Sequence, residues 1–166
     1  MTKEKNYYGF HIRLASEAEI PEIQAITRIS FQKYIKNAGI TDIEALNETY
    51  EDIKNDLKTK LVFVAFINDV PAGSVRIQVK PDGTAYLSRF GVSPEFQNHG
   101  VGKSLMSVVD TVMMEKGVKR LELHTATKYF DLVRFYYGRK FFIESISEDR
   151  GYKRALMVKE YRPVNN

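Results

Sequence analysis

Cysteine is absent from the 166-residue chain. Disulfides, thiolate metal ligands and a cysteine nucleophile are therefore excluded from its chemistry. No apolar run approaches the length of a membrane span, and the opening MTKEKNYYGF lacks the apolar stretch of a secretory leader, so a cytoplasmic location is expected. Repeats, low-complexity segments and linkers rich in proline, glycine or serine are also missing, and residues 1–166 are expected to form a single domain. An excess of one charge is equally wanting. The net charge of +4 is small and scattered, which gives no argument for nucleic acid. His11, His99 and His124 lie far apart in sequence and have no thiolate to join them, so no metal site is expected. What remains is a chain with 43% apolar and 28% charged residues, the balance of a folded protein able to bury a core.

Periodicity divides the chain into short elements. FHIRLA (Phe10 to Ala15) alternates as a strand does, and SEAE then places Ser16 and Glu19 as a capping box for a helix carrying Ile20, Ile23, Ile26, Ile29 and Ile35. ITDIEALNETYEDIKNDL reads as further helix. KLVFVAFIN, GSVRIQV and TAYLSRFGV are β-branched and aromatic runs separated by DVPAG and PDG, which predicts two hairpins in succession. After Pro94 the period changes. Val101, Leu105, Val108, Val109, Val112 and Met113 repeat at helical spacing, with Gly117 where a C-terminal cap belongs. A strand RLELHTA, a short aromatic helix YFDLVRFYYGR and two closing strands, KFFIESIS and ALMVKEY, complete an α+β chain built on a mostly antiparallel sheet.

One stretch carries chemistry. QNHGVGKSL, Gln97 to Leu105, ends like a nucleotide-binding P-loop, but such a loop needs glycine at the position of Gln97. The apolar run ending in aspartate that would hold magnesium is also missing downstream; FVAFIND lies upstream. The ATP reading fails on both counts. Gly100 and Gly102 still open a helix, where unpaired backbone N–H groups and a partial positive charge receive a phosphate. Both glycines leave room for phosphate oxygens, and Lys103 and Ser104 add a charge and a hydroxyl.

These elements and this stretch resemble the GNAT superfamily of N-acetyltransferases. The resemblance extends over nearly the whole chain. Its most specific part is the Q/R-x-x-G-x-G/A signature, met by Gln97, Gly100 and Gly102 after FGVSPEF and at a helix start; IRLASEAEIPEI, VPAGSVRI, FYYGRKFF and ALMVKEY agree more loosely. It implies a mixed, mostly antiparallel sheet with helices on both faces, and acetyl-CoA as co-substrate without a metal. Its pyrophosphate would lie on Gln97, Asn98, Gly100, Val101, Gly102, Lys103 and Ser104. Its pantetheine would run along Phe90, Gly91 and Val92, where the strand splays from RLELHTA.

Catalysis in this family needs a neutral amine, a stabilised oxyanion and a proton for the departing thiolate. With no cysteine to acylate, direct attack in a ternary complex is expected. The F-Y pair of the family's last helix matches Phe135-Tyr136, which makes Tyr136 the expected acid. Two positions depart from the pattern. Tyr129 stands where relatives carry asparagine, and Lys140-Phe141 replaces Gly-Phe, with Gly138 available as an earlier cap. The base is not assigned. Tyr86 and Ser88 on one strand, and Glu122 and His124 on the next, can wall the site, His124 having the best intrinsic pKa for proton work.

Asp42, Glu44, Glu48, Glu51, Asp52 and Asp56 stand against the single Lys54 where the family builds one wall of its acceptor site. As a wall of that site the run would attract a cationic amine, and as a solvated helix face it says nothing of the acceptor, which is expected to be a primary amine of a small molecule or a protein. The expected partners are acetyl-CoA and such an amine, with a homodimer as the assembly to test and neither nucleic acid nor membrane. The alternative is a non-catalytic acyl-CoA sensor of the same fold.

Overall fold

The computed structural model describes residues 10–162, so the stretch read above for a leader lies largely outside them. Seven strands and four α-helices follow in the order β1 (Phe10–Leu14), α1 (Ile20–Ala38), α2 (Tyr50–Thr59), β2 (Leu61–Ile67), β3 (Val70–Val79), β4 (Thr84–Val92), α3 (Val101–Glu115), β5 (Arg120–Ala126), α4 (Phe130–Gly138), β6 (Phe142–Ser147) and β7 (Arg154–Glu160). The strands form one sheet in the order β1-β2-β3-β4-β5-β7-β6. Only β4 and β5 run parallel; every other pair is antiparallel.

Alternation along each strand assigns the two faces. Phe63 and Ala65 of β2, Val75 and Ile77 of β3, Ala85 and Leu87 of β4 and Leu121 and Leu123 of β5 pack beneath Val101, Leu105, Val109 and Met113 of α3, joined by Tyr136 of α4. Val62, Val64 and Phe66 point the other way and pack with Ile20, Ile23 and Ile53 of α1 and α2. Helices therefore cover both faces, as the resemblance implies. Ile29, expected on the buried side of α1, is 45% exposed, because the helix face that meets the sheet runs through Ile20, Ile23, Ile26 and Thr27.

Three local expectations change. The acidic helix is interrupted: Glu44–Asn47 is a 3₁₀ turn, and α2 restarts where the Thr49 hydroxyl accepts from Asp52 N and Asp52 accepts in return from Thr49 N. The first hairpin turns at Asn68-Asp69, not at DVPAG. Both residues have positive φ (49° and 65°), as a two-residue turn between twisted strands requires, and Pro71, Ala72 and Gly73 belong to β3. The third change closes α4. Lys140 adopts φ 75°, its N–H bonds Tyr137 O and the Phe141 N–H bonds Tyr136 O at 3.0 Å. Lysine therefore occupies the left-handed cap position, and Gly138 stays inside the helix. Gly117 caps α3 in the same way, at φ 69° with Val118 N bonded to Met113 O, as expected.

Candidate active site

The site grows from one irregularity in β4. Against β3, Arg76 pairs with Ser88 and Ser74 with Gly91, so β4 carries one residue too many across this interval. Arg89 absorbs it at φ 53°. On its other side β4 pairs with β5 only over Thr84–Tyr86 and Arg120–Glu122, although both strands continue. Beyond Tyr86 the two strands separate. The main chain of β4 there has no ladder partner on the β5 side, which is the arrangement an extended ligand needs to pair as a strand does.

A cleft of about 1030 Å³ runs through this opening. Phe90, Gly91, Val92, Gln97, Asn98, Gly100, Val101, Gly102, Lys103 and Tyr136 all line it, whereas Ser104 does not. The Ser104 N–H is already spent on Gly100 O at 3.0 Å, the first bond of α3. The N–H groups of Val101, Gly102 and Lys103 precede that bond and so have no partner within the helix. Gly100 takes φ 79°, and a β-carbon there would have no atom within 4 Å. The mouth of the helix is thus an open cradle that fits a phosphate group.

The other glycines do different work. A β-carbon on Gly91 would stand 2.6 Å from Ser30 Oγ, so this residue is glycine because α1 crosses the strand there. A glycine inside a strand signals a bulge or a close approach; here it is the approach of α1, and the bulge sits two residues earlier, at Arg89. A β-carbon on Gly102 would lie 3.0 Å from Phe90 Cζ, and the Phe90 ring in turn stacks on Phe135 at 5.4 Å. Gly102 therefore lets α3 close on β4 as well as opening the cradle. Gln97 Oε1 accepts from Lys33 Nζ at 3.2 Å and ties the loop to α1.

Tyr136 is 3% exposed, with its ring against Phe90, Phe135 and Phe141. The contact with Phe141 spans the Lys140 cap, so the departure from Gly-Phe preserves what the cap must hold. The Tyr136 hydroxyl bonds none of the described residues. Burial, reinforced by the neighbouring phenols of Tyr34, Tyr129 and Tyr86, pushes its pKa well above the usual tyrosine range and keeps it a proton donor. Tyr129 precedes α4 and lies 5.8 Å from the Tyr34 ring, making an aromatic wall in place of the expected amide.

At the point where β4 and β5 part, Tyr86 Oη and His124 Nδ1 are 2.6 Å apart. Burial raises the pKa of Tyr86, and burial followed by the charge of Arg154 lowers that of His124. The phenol therefore stays protonated and the imidazole neutral; in the tautomer protonated on Nε2 the phenol donates to Nδ1. Ser88 shares the cleft; Glu122 is held by Arg120 Nε at 2.7 Å and stays outside it.

The acidic run does not form the wall expected of it. Arg76, fully buried on β3, takes Glu48 with both Nη atoms at 2.6 and 2.8 Å and Asp56 at 2.8 Å. Arg89 Nε adds a further bond to Glu48 at 3.2 Å. Burial opposes the Arg76 charge, but the two carboxylates outweigh it and raise its pKa. Asp52 caps α2, and only Asp42 and Glu44 of the run line the cleft. Arg76 was not singled out from the sequence. An arginine at an alternating position of a strand otherwise reads as solvent-facing. Among the described residues no group of three histidine, aspartate or glutamate side chains gathers as a metal site would need, and no helix is long and apolar enough to cross a membrane.

A splayed parallel pair beside a bulge, opening onto a glycine-led helix, defines an acyl-CoA acyltransferase architecture. Residues 23–141 match the acetyltransferase (GNAT) family, and the chain belongs to that family as an acetyl-CoA-dependent acetyltransferase. The uncharacterized protein YyaT of Bacillus subtilis is 26% identical over 150 residues, covering 89% of this chain and 93% of that one. The PaiA N-acetyltransferase of Thermoplasma acidophilum, solved with coenzyme A, superposes with a TM-score of 0.78 at 21% identity, covering 92% of this chain and 99% of that one. The ribosomal-protein-S18-alanine N-acetyltransferase of Escherichia coli gives 0.75 at 17% identity, over 95% and 98% of the two chains.

Proposed function

We propose that this chain transfers the acetyl group of acetyl-CoA to the primary amine of an acceptor by direct attack in a ternary complex. The carrying observation is the convergence of the glycine cradle at α3, the open edge of β4 and Tyr136 in one cleft. The free N–H groups of Val101, Gly102 and Lys103 hold the pyrophosphate, and Lys103 adds its charge. The pantetheine lies along Phe90 to Val92, on the open edge of β4, and the Thermoplasma relative was solved with coenzyme A. The acceptor nitrogen attacks the thioester carbonyl, the C–S bond breaks, and the Tyr136 phenol delivers its proton to the leaving sulfur. A thiolate in the same apolar surroundings also has a raised pKa, so the elevated phenol remains matched to its task. The proton lost by the amine passes to Tyr86 Oη as the Tyr86 proton moves to His124 Nδ1, a relay supported by their 2.6 Å separation.

The test is release of free CoA from acetyl-CoA by purified protein over a panel of amines. Amine-dependent release supports the enzyme. Tight acetyl-CoA binding with no release from any amine overturns it in favour of a sensor.

A further inference from the structure

The far end of the cleft, beyond Tyr86 and His124, is basic. The β5–β7 register pairs His124 with Leu156 and Ala126 with Arg154, which sets Arg154 on the same face as His124, one strand over and one pleat along. Arg150, in the connection from β6 to β7, lines the same cleft. Arg154 is only 9% exposed, and a guanidinium so buried requires anionic partners. It has little of what it requires. Its Nε is buried without a hydrogen bond, and Nη2 reaches only the Asp149 carboxylate, at 3.4 and 3.5 Å, on a side chain that is 62% exposed. Arg76 shows the contrast within this chain. Its Nε is also unpartnered, but both Nη atoms make short bonds to two carboxylates.

Three of the nearby acids are paired with cations of their own, whereas Asp42, Glu44 and Asp131 line the cleft itself. Glu48 and Asp56 belong to Arg76, and Glu122 is held by Arg120. Asp42 accepts from Ile43 N and the Asn47 amide. A polycation that reached this end would meet the charges of Arg150 and Arg154. An anion would find a guanidinium whose planar N–H pairs match a carboxylate or phosphate.

We propose that the acceptor carries, beside its reactive amine, a carboxylate or phosphate group received by Arg154 with Arg150, which makes it an amino acid or a phosphorylated amine and not a polyamine. The inference rests on the acetyl-transfer reading for the amine, but its test does not.

Calorimetric titrations of CoA-saturated protein decide it, using ligands matched in pairs: a set of L-amino acids against their amides, glucosamine 6-phosphate against glucosamine, and spermidine alone. The expected result is an anionic member bound roughly ten- to a hundredfold more tightly than its uncharged counterpart, the span of a charge-assisted contact. Which pair shows it separates carboxylate from phosphate. Arg154→Gln should erase the preference and Arg154→Lys retain part of it, with CoA affinity unchanged in both. Should Arg154→Gln unfold, the exposed Arg150→Gln together with Arg154→Lys must still weaken the preference. Equal binding within every pair overturns the proposal, as does a preference that survives Arg154→Gln, or spermidine as the tightest ligand. Anion-selective binding without CoA release from any amine sustains this inference and removes the enzymatic one; CoA release with spermidine alone does the reverse.

Discussion

Replacing Arg76 by methionine tests whether the interior beside the active site is held by charge. The guanidinium is fully buried, and its partner Glu48 is 9% exposed. Methionine fills much of the space but leaves the Glu48 carboxylate in an apolar setting, with only the partly exposed Arg89 to answer it. Removing one member of such a pair costs about 3–5 kcal/mol, because the remaining charge loses its compensation. For a chain of this size that is a fall in Tm of roughly 6–20 °C, a large part of the whole stability. Asp56 suffers less, since Lys60 already reaches it at 3.3 Å. The double variant Arg76→Met with Glu48→Leu should recover most of the loss, as apolar replacements of entire buried pairs do. Thermal denaturation followed by circular dichroism measures all three proteins. A single variant within about 1 kcal/mol of the parent, or a double variant no better than the single, would refute the claim that the pair is desolvated and coupled.

Two further substitutions address the helix that carries Tyr136. Tyr136→Phe should keep acetyl-CoA affinity and thermal stability, since the ring contacts remain and the hydroxyl bonds no described residue, while turnover falls by a factor of about 10² to 10⁴. Calorimetry and CoA release on one preparation check it; full turnover removes Tyr136 as the acid. Lys140→Gly should raise stability by about 1 kcal/mol, because lysine at φ 75° bears a left-handed penalty that glycine escapes. An unchanged or lower Tm would mean that the lysine side chain repays that cost.

Sequence alone conveyed much of what depends on period and local chemistry. β-branched alternation marked β2, β3 and β4, and Gly117 announced its cap by residue type. The cradle was legible for the same reason, since Gly100 and Gly102 sit where a helix begins and only glycine leaves that space. The parts that stayed hidden share a different cause. Arg89 at φ 53° and Lys140 at φ 75° occupy backbone conformations that residue identity argues against, so neither the bulge nor the cap could be placed on them. Gly91 invited the bulge by its identity, but the nearest obstacle to a side chain there is Ser30, 61 positions away in α1. The acidic run misled for a related reason. Charge counted along a segment says nothing of a buried cation on another strand, and Arg76 claims Glu48 and Asp56 across 28 and 20 positions.

The violations of local preference are grouped, and their grouping has a physical logic. Arg89 bends β4 away from regular pairing just where β4 and β5 cease to pair, and Glu48, fixed by Arg76, holds Arg89 Nε in that position. Lys140 closes α4 so that Phe141 buttresses the ring of Tyr136. Arg89 lines the cleft and is restrained by Glu48, 41 positions away, whereas Lys140 acts on the cleft through the turn that seats Phe141 against Tyr136. Past Tyr86 the unpaired edges of β4 and β5 leave the opening an extended ligand needs. The buried ion cluster, costly as an element of stability, is what keeps the strained residue at the opening in place.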